Sequence, residues 1–314
     1  MDLSADLGFA WNFGRNRERV GLYLLFFLGA LAAFGVLALL LVALFAGAGF
    51  SGGLPSLLNS PGAVFAAIGG ILLFALLLLA LFLVFLGFWL WLSAGIIKNA
   101  ASEYSGERLS LRECLDYAKT RFWTLVLLTI LVAAVSFIVE FPLQILELLP
   151  FIGLLFLVIA FFVRLILQLG FIFASYEAVV AGENAVDSVK KSFDLFLKNP
   201  LEVLLVAVIL VVALIVLLVL SVIAPFLIAA VAVGAYSALP ASAGLAVAIA
   251  LGVIALIVFL AEIAFILVFI DGFLTSAFLD LNAQTRAASA APLPRPARAA
   301  TAPRKRVAPV RKKR

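Results

Sequence analysis

The sequence comprises 314 residues, of which 66% are hydrophobic and only 12% are charged, with a formal net charge of +5. Soluble domains carry roughly a quarter charged residues, so this composition excludes a soluble globular protein and predicts a polytopic membrane protein. The single cysteine, Cys114, excludes an internal disulfide framework, and the absence of histidine removes the commonest general base and metal ligand. We therefore expect no cofactor, no metal site and no enzymatic activity.

Six segments are apolar over the roughly 20 residues that a membrane-crossing helix requires. Turn-rich stretches separate them, including residues 51–62 and 236–244, and Pro142 and Pro150 bracket the third connection. The sequence thus predicts an all-α fold, a polytopic membrane helix bundle with six transmembrane helices. The predicted spans cover approximately residues 20–46, 62–97, 122–141, 150–181, 201–233 and 243–281.

The last predicted span is too long for a bilayer. As one helix, residues 243–281 would reach roughly 57 Å, whereas the hydrocarbon core is about 30 Å thick. The helix therefore either extends beyond the membrane or breaks at Asp271-Gly272, and both possibilities stay open at the level of sequence.

Basic residues are confined to alternate connections. The N-terminal segment, the second and fourth connections and the C-terminal segment carry all but one of the 22 Lys and Arg residues, and the exception is Arg164. Because cytoplasmic loops are enriched in Lys and Arg, both termini are predicted to be cytoplasmic. We expect the plasma membrane of a bacterium or an archaeon.

An amphipathic stretch precedes the first, third and fifth spans, at about residues 3–13, 109–121 and 185–198. The chain therefore has the pattern of three repeated units, each an interface helix followed by a helical hairpin. Ser110 and Glu113 have the spacing of a capping box, and Asn184 is the expected cap of the third stretch. The apolar faces are predicted to be Leu3, Leu7, Ala10 and Trp11; Leu111, Cys114, Leu115, Ala118 and Phe122; and Val186, Val189, Phe193, Phe196 and Leu197.

The segment FIFASYEAVVAGENAVDSVKKSFDLFLKNPLEVLLVAVIL (171–210) resembles the signature of a broad group of multi-pass membrane proteins. That group is gathered around the membrane domain of some glycerophosphodiester phosphodiesterases and includes many archaeal and bacterial proteins. The resemblance is carried by Ala174-Ser175-Tyr176, Gly182 and Ser192-Phe193, and it departs at Asn199, which Pro200 follows where an aromatic residue is common. It implies a six-span membrane module and transfers no catalytic residue.

The chain divides into a six-span membrane domain, residues 1–283, and a basic Pro/Ala-rich tail, residues 284–314. The tail has no acidic residue and is predicted to be disordered, because alanine, proline and charge bury too little surface to fold. The tail is expected to bind anionic lipid head groups, or to fix the membrane topology of the chain without binding a partner. Nucleic acid is a weaker candidate partner, because the tail has no aromatic residue to stack on bases. The basic residues expected at the membrane surface are Arg304, Lys305, Arg306, Arg311, Lys312, Lys313 and Arg314.

A few ionisable residues fall within the apolar runs, and Arg164 is the most unusual. A charge at the centre of a span costs about 2.5–3.5 kcal/mol and normally finds a partner inside the bundle. Arg164 and Glu262 lie at similar predicted depths, roughly 20 and 24 Å below the outer boundary, so Glu262 is the expected partner and Glu140 the second choice. Gln168, one turn from Arg164, could complete the hydrogen bonding. The group is interpreted as a polar pocket or as a structural pair that fixes helix register.

Three functions are compatible with these features. The first is a non-enzymatic scaffold or lipid-organising module with cytoplasmic interface helices and a polybasic tail. The second is a carrier for an anionic or lipid-like substrate that uses the Arg164–Glu262 pair. The third and least supported is a lipid-modifying enzyme, because the sequence has no phosphate-binding loop, no nucleophile elbow and no histidine.

Overall fold

A computed structural model describes residues 2–47, 61–107, 109–149 and 153–289. These ranges contain helices and turns and no strand, which confirms the all-α prediction. The elements are α1 (Leu3–Gly14), α2 (Arg17–Gly47), α3 (Pro61–Tyr104), α4 (Leu111–Glu147), α5 (Gly153–Phe171), the single turn α6 (Ala174–Tyr176), a π-helical turn (Glu177–Ala181), α7 (Ala185–Lys198), α8 (Pro200–Ala238) and α9 (Ala241–Ser289).

Six helical segments within the described part of the chain are long and apolar enough to cross a membrane, so the protein is a six-span membrane bundle. The spans are Arg17–Leu40, Ile68–Tyr104, Leu111–Glu147, Gly153–Ala181, Pro200–Ala238 and Ala241–Arg286.

The third span is longer than predicted because Pro142 does not end it. Helix α4 continues through Pro142 to Glu147, although the sequence placed the proline in the connection. Proline is tolerated inside transmembrane helices when neighbouring groups satisfy the freed backbone carbonyl. The extension makes Glu147 the last residue of the helix that precedes Arg164 in the hairpin.

The interface helix predicted at residues 109–121 is not a separate element. It is the first part of α4, which runs without a break from Leu111 into the third span, behind the predicted capping box at Ser110 and Glu113. The first and third interface helices are separate, since α1 ends at Gly14 and α7 ends at Asn199-Pro200. Between Ala118 and Trp123 the sequence has no residue that ends a helix, so the repeated unit is interrupted in two copies and continuous in the middle one.

Helix α9 resolves the length of the last span. It continues through Asp271-Gly272 as part of one 49-residue helix, so it extends beyond the bilayer instead of breaking. At Gly272 a Cβ atom would lie 2.9 Å from the Phe13 ring and 3.5 Å from the Cα atom of Ala10. The glycine therefore permits close approach of α1, not a break in α9.

Buried side chains concentrate in one half of the bundle, called the basic end below and comprising residues 2–23, 92–107, 109–128, 169–206 and 264–286. The largest fully buried side chains there include Phe13, Tyr23, Phe173, Phe273 and Phe278. In the other half most large apolar side chains that the structure describes are exposed, as expected of helices whose solvent is lipid. Tertiary packing therefore joins the spans mainly at the basic end.

The buried faces of the interface helices agree only in part with the predicted stripes. Cys114 and Ala118 are fully buried, as the second stripe predicts. In α1, however, Asp6 and Phe13 face inward while Trp11 is 47% exposed. The reason is that Arg19 and α9 both pack around Phe13, which rotates the helix relative to the predicted face.

Candidate functional site

The fourth span changes helix type where it reaches the basic end. After α5 ends at Phe171, the π-helical turn Glu177–Ala181 follows one turn of α-helix and stops at Gly182, whose φ of 77° is left-handed. Such turns insert an extra residue and are frequent at functional sites. Here the turn presents Glu177, which is only 4% exposed.

Two side chains of α4 hold the π-helical turn in place. The Tyr117 hydroxyl donates to the carbonyl of Val179 at 3.0 Å, and Arg121 Nη1 donates to the carbonyl of Gly182 at 2.8 Å. Arg121 Nε also donates to the Tyr117 hydroxyl at 3.2 Å. The left-handed backbone of Gly182 favours glycine at this position. A Cβ atom there would lie 2.7 Å from Arg121 Nη2, so a larger residue would also displace the Arg121 side chain.

Helix α7 packs against the same segment through small and polar residues. Asn184 caps the helix by accepting from the backbone N–H of Asp187 at 2.9 Å, which confirms the predicted cap. The buried Ser192 hydroxyl donates to the carbonyl of Gly170 at 2.6 Å, near the end of α5. The predicted apolar stripe lies at the side of this contact, and Leu197 is 68% exposed.

A cavity of about 730 Å³ lies between the π-helical turn, α7 and the last turns of α9. Its wall includes apolar side chains of Val180, Leu195, Phe278 and Leu279, and polar groups of Asn282 and Thr285. Its charged lining has three acids and three bases, which are Glu177, Glu183, Asp194, Lys191, Lys198 and Arg286.

The charges of this cavity differ in their environment. Lys191 forms an ion pair with Glu183, and the hydrogen bond to that carboxylate raises the pKa of Lys191. Glu177 is nearly buried, whereas Lys198, in the last turn of α7, is exposed. The cavity lining therefore combines a buried inner carboxylate, Glu177, with an exposed outer ammonium group, Lys198, and four further charged side chains.

Sequence reasoning did not identify this cavity. Glu177 has no neighbouring motif, and its position depends on Tyr117 and Arg121, which lie about sixty residues away in the chain. The one local signal was Gly182 before the capped helix α7, a residue that the resemblance to multi-pass membrane proteins also included.

Arg164 pairs with Glu147, which was not predicted, and with Glu140, the second choice, instead of Glu262. Its Nη2 atom donates to Glu147 Oε1 at 2.9 Å, and its Nε atom lies 3.8 Å from Glu140 Oε2. The pairing with Glu262 was wrong; the Oε2 atom of Glu262 is buried and has no hydrogen-bond partner among the described residues. Gln168 is exposed to the surroundings of the bundle.

The reason for this difference is the helical hairpin. Helices α4 and α5 are consecutive and antiparallel, and the continuation of α4 through Pro142 brings Glu147 beside Arg164. Arg164 and Glu262 were predicted to lie at similar depths, but they belong to spans that are distant in the chain, and similar depth does not bring two side chains into contact. The side chains of Arg164, Glu140 and Glu147 are 33%, 33% and 22% exposed, so they lie at the surface of the hairpin and do not form a closed pocket. The carrier hypothesis thereby loses the pair on which it depended.

Arg19 is the centre of a second polar group. From the sequence, this residue was identified only as one of the basic residues that indicate membrane orientation. Arg19 Nε donates to Asn99 Oδ1 at 2.8 Å and Nη1 donates to the carbonyl of Phe13 at 3.0 Å. Its guanidinium also pairs with Glu103 and lies 3.7 Å from the centre of the Phe13 ring. Arg19 thus joins α1, α2 and α3 and acts as a structural group.

Asp271 of the sixth span accepts a hydrogen bond from the buried Tyr23 hydroxyl at 2.8 Å. No group of three or more Cys, Asp or Glu side chains suited to a metal ion occurs in the described ranges. The predicted basic tail residues, from Arg304 to Arg314, lie outside the described residues.

The chain matches no family model, no curated protein and no solved structure. Fold and composition therefore define the class, a six-span all-α membrane protein. The resemblance to the membrane domain of glycerophosphodiester phosphodiesterases stays a prediction.

Proposed function

We propose that this protein is a non-enzymatic membrane scaffold that organises lipids by holding a phospholipid head group in the cavity at its basic end. The observation that carries this proposal is the cavity of about 730 Å³ lined by Glu177, Lys198 and further charges of both signs. In the proposed orientation the basic end faces the cytoplasm, following the distribution of Lys and Arg.

The position of the cavity supports a lipid ligand. It lies where the fourth and sixth spans end, beside the amphipathic helix α7. Helices of this kind lie at the level of lipid head groups. The exposed side chains of Val186 and Leu197 could contact acyl chains there, and the apolar wall at Phe278 and Leu279 could contact the glycerol region.

The charge of the cavity supports a head group that carries both a phosphate and an ammonium group. Three acids and three bases line it, so its formal charge is balanced. The inner carboxylate of Glu177 suits the ammonium group, and Lys198 suits the phosphate. Hydrogen bonds to charged groups contribute about 1.5–3 kcal/mol each, enough to select this head group from bulk lipid.

Lipid affinity measured by native mass spectrometry tests the proposal. The purified full-length protein should bind phosphatidylethanolamine, and Glu177→Gln or Lys198→Ala should weaken binding about tenfold, the loss of one charged hydrogen bond. Lys190→Ala is the matched control, since Lys190 is an exposed lysine of α7 outside the cavity lining. Equal affinities for all four proteins, or binding of phosphatidylglycerol alone, would contradict the proposed ligand.

A further inference from the structure

Asp6 is an acidic side chain sealed within the protein. It lies in α1, has no exposed surface, and neither of its carboxylate oxygens has a hydrogen-bond partner among the described residues. The neighbouring hydroxyl of Ser276 donates instead to the carbonyl of Phe273 at 3.0 Å. An ionised carboxylate without partners is among the costliest groups to bury, so this arrangement requires neutralisation.

The charged groups around Asp6 do not supply that neutralisation. On α9 it faces Asp280, which accepts a hydrogen bond from the Tyr104 hydroxyl of α3 at 2.7 Å. On its own helix it faces Asp2, which caps α1 through the N–H groups of Ser4 and Ala5. Burial raises the pKa of Asp6, and the charges of Asp280 and Asp2 raise it further, while the positive charge of the amino terminus opposes the rise.

Helix α1 has no room to expose Asp6 while it remains docked. Ala10 and Phe13, on the same face, are fully buried. The Phe13 ring packs so closely on Gly272 that a Cβ atom there would lie 2.9 Å from it. Water can therefore reach the carboxylate only if α1 separates from α9.

We propose that Asp6 is a proton-binding site that locks α1 onto α9. In the docked state the carboxyl group is protonated and neutral; on release the proton passes to water and the carboxylate becomes hydrated. The site thereby makes exposure of the first interface helix dependent on pH. This inference is independent of the head-group cavity, to which α1 contributes no lining residue.

The direction of the pH dependence follows from proton binding. Because the pKa of Asp6 is raised in the docked state, that state binds one more proton than the released state over the interval above the ordinary value of 3.8. Docking is strongest below that value and weakens as pH rises through the raised pKa. The released population increases at most about tenfold per pH unit, the limit for one proton.

Hydrogen–deuterium exchange of residues 3–14 tests the site in the full-length protein reconstituted into nanodiscs. After correction for chemical exchange rates, protection of wild-type α1 should decrease in a titration from pH 4 to pH 8, because the pH rises above the ordinary carboxyl value of 3.8. Asp6→Asn should stay protected throughout. Asp280→Asn should reduce the pH dependence, because it removes a neighbouring charge. Asp116→Asn, at an exposed carboxylate paired with Lys119, should behave as the wild type.

Three results would overturn the inference. The first is wild-type protection that does not change with pH, and the second is the same pH dependence in Asp6→Asn. The third is recovery of protection at pH 8 when sodium or potassium replaces choline at equal ionic strength, which would make a metal cation the neutralising species. If Asp6→Asn does not fold, an undiminished pH dependence in Asp280→Asn refutes the coupling of the two carboxylates.

Discussion

At the scale of single residues, Arg164 shows how a charge within a span is accommodated. Its partners, Glu147 and Glu140, belong to the preceding helix of the same hairpin. A short connection between antiparallel helices brings such groups together regardless of the rest of the bundle. These ion pairs therefore stabilise the hairpin of the third and fourth spans and do not involve the sixth span.

A double-mutant cycle tests this pairing. Arg164→Leu and Glu147→Gln should each lower stability, and their interaction energy should be about 1 kcal/mol, as for a partly exposed ion pair. The measurement is unfolding in detergent followed by circular dichroism. The cycle of Arg164→Leu with Glu262→Gln is the control and should be additive within about 0.5 kcal/mol. Coupling to Glu262 and not to Glu147 would restore the pairing expected from depth.

One feature, Pro142, limited what the sequence could reveal about Arg164. Hydropathy and spacing marked it as the one basic residue away from the predicted cytoplasmic loops. However, transmembrane helices tolerate proline because neighbouring groups can satisfy the freed backbone carbonyl, and α4 of the third span includes Pro142. Glu147 was therefore assigned to a connection and was not considered as a partner.

At the scale of elements, the π-helical turn and α7 form one unit. Ser192 donates to Gly170 across the contact, and Phe193 packs on the same glycine, where a Cβ atom would lie 2.4 Å from the ring. The contact brings α7 against the end of α5 and thereby forms one wall of the cavity. Loss of this hydrogen bond should loosen the wall.

Ser192→Ala should destabilise the protein by about 1–2 kcal/mol, since it deletes a buried hydrogen bond between elements. Ser188→Ala is the matched control, because the Ser188 hydroxyl is bonded within its own helix, to the carbonyl of Asn184. That carbonyl also accepts a hydrogen bond from the Ser188 N–H, so Ser188→Ala should lower the stability of the protein less than Ser192→Ala does. Thermal unfolding in the same detergent measures both, and equal losses would show that the contact with Gly170 has no special role.

Local and long-range features of these elements differed in how far they could be predicted. The cap at Asn184 and the capping box at Ser110 follow from a few adjacent residues, and both are confirmed. The π-helical turn was not predicted, because its backbone is held by Tyr117 and Arg121 of another helix. A sequence window around Glu177 contains no information about those contacts.

At the scale of the whole molecule, packing and polar interactions both concentrate at the basic end. Arg19, Tyr23 and Tyr104 form hydrogen bonds between helices there, whereas the other halves of the spans present mainly apolar side chains. The number of spans could be predicted because apolar length dominates the sequence. The concentration of packing at the basic end could not be predicted, because hydropathy is high along both halves of each span.

The proposed orientation can be tested by cysteine labelling in intact cells. In a Cys114→Ser background, Ser237→Cys, at the end opposite the basic end, should react with a membrane-impermeant maleimide. Ser105→Cys, at the basic end, should react only after lysis. Both native serines are exposed, so accessibility within the protein does not distinguish them. The reverse labelling would place the cavity on the outer face and invalidate the cytoplasmic assignment.

The head-group site is tested most directly by photo-crosslinking from within the cavity. With p-benzoylphenylalanine in place of Leu279, a cavity-lining residue, we expect a phosphatidylethanolamine adduct by mass spectrometry. The adduct should be lost with Lys198→Ala and retained with Lys190→Ala. The same probe in place of Leu205, an exposed side chain of α8, should give lipid adducts insensitive to both changes. Absence of a phospholipid adduct at position 279, or an adduct unaffected by Lys198→Ala, would contradict a head-group site.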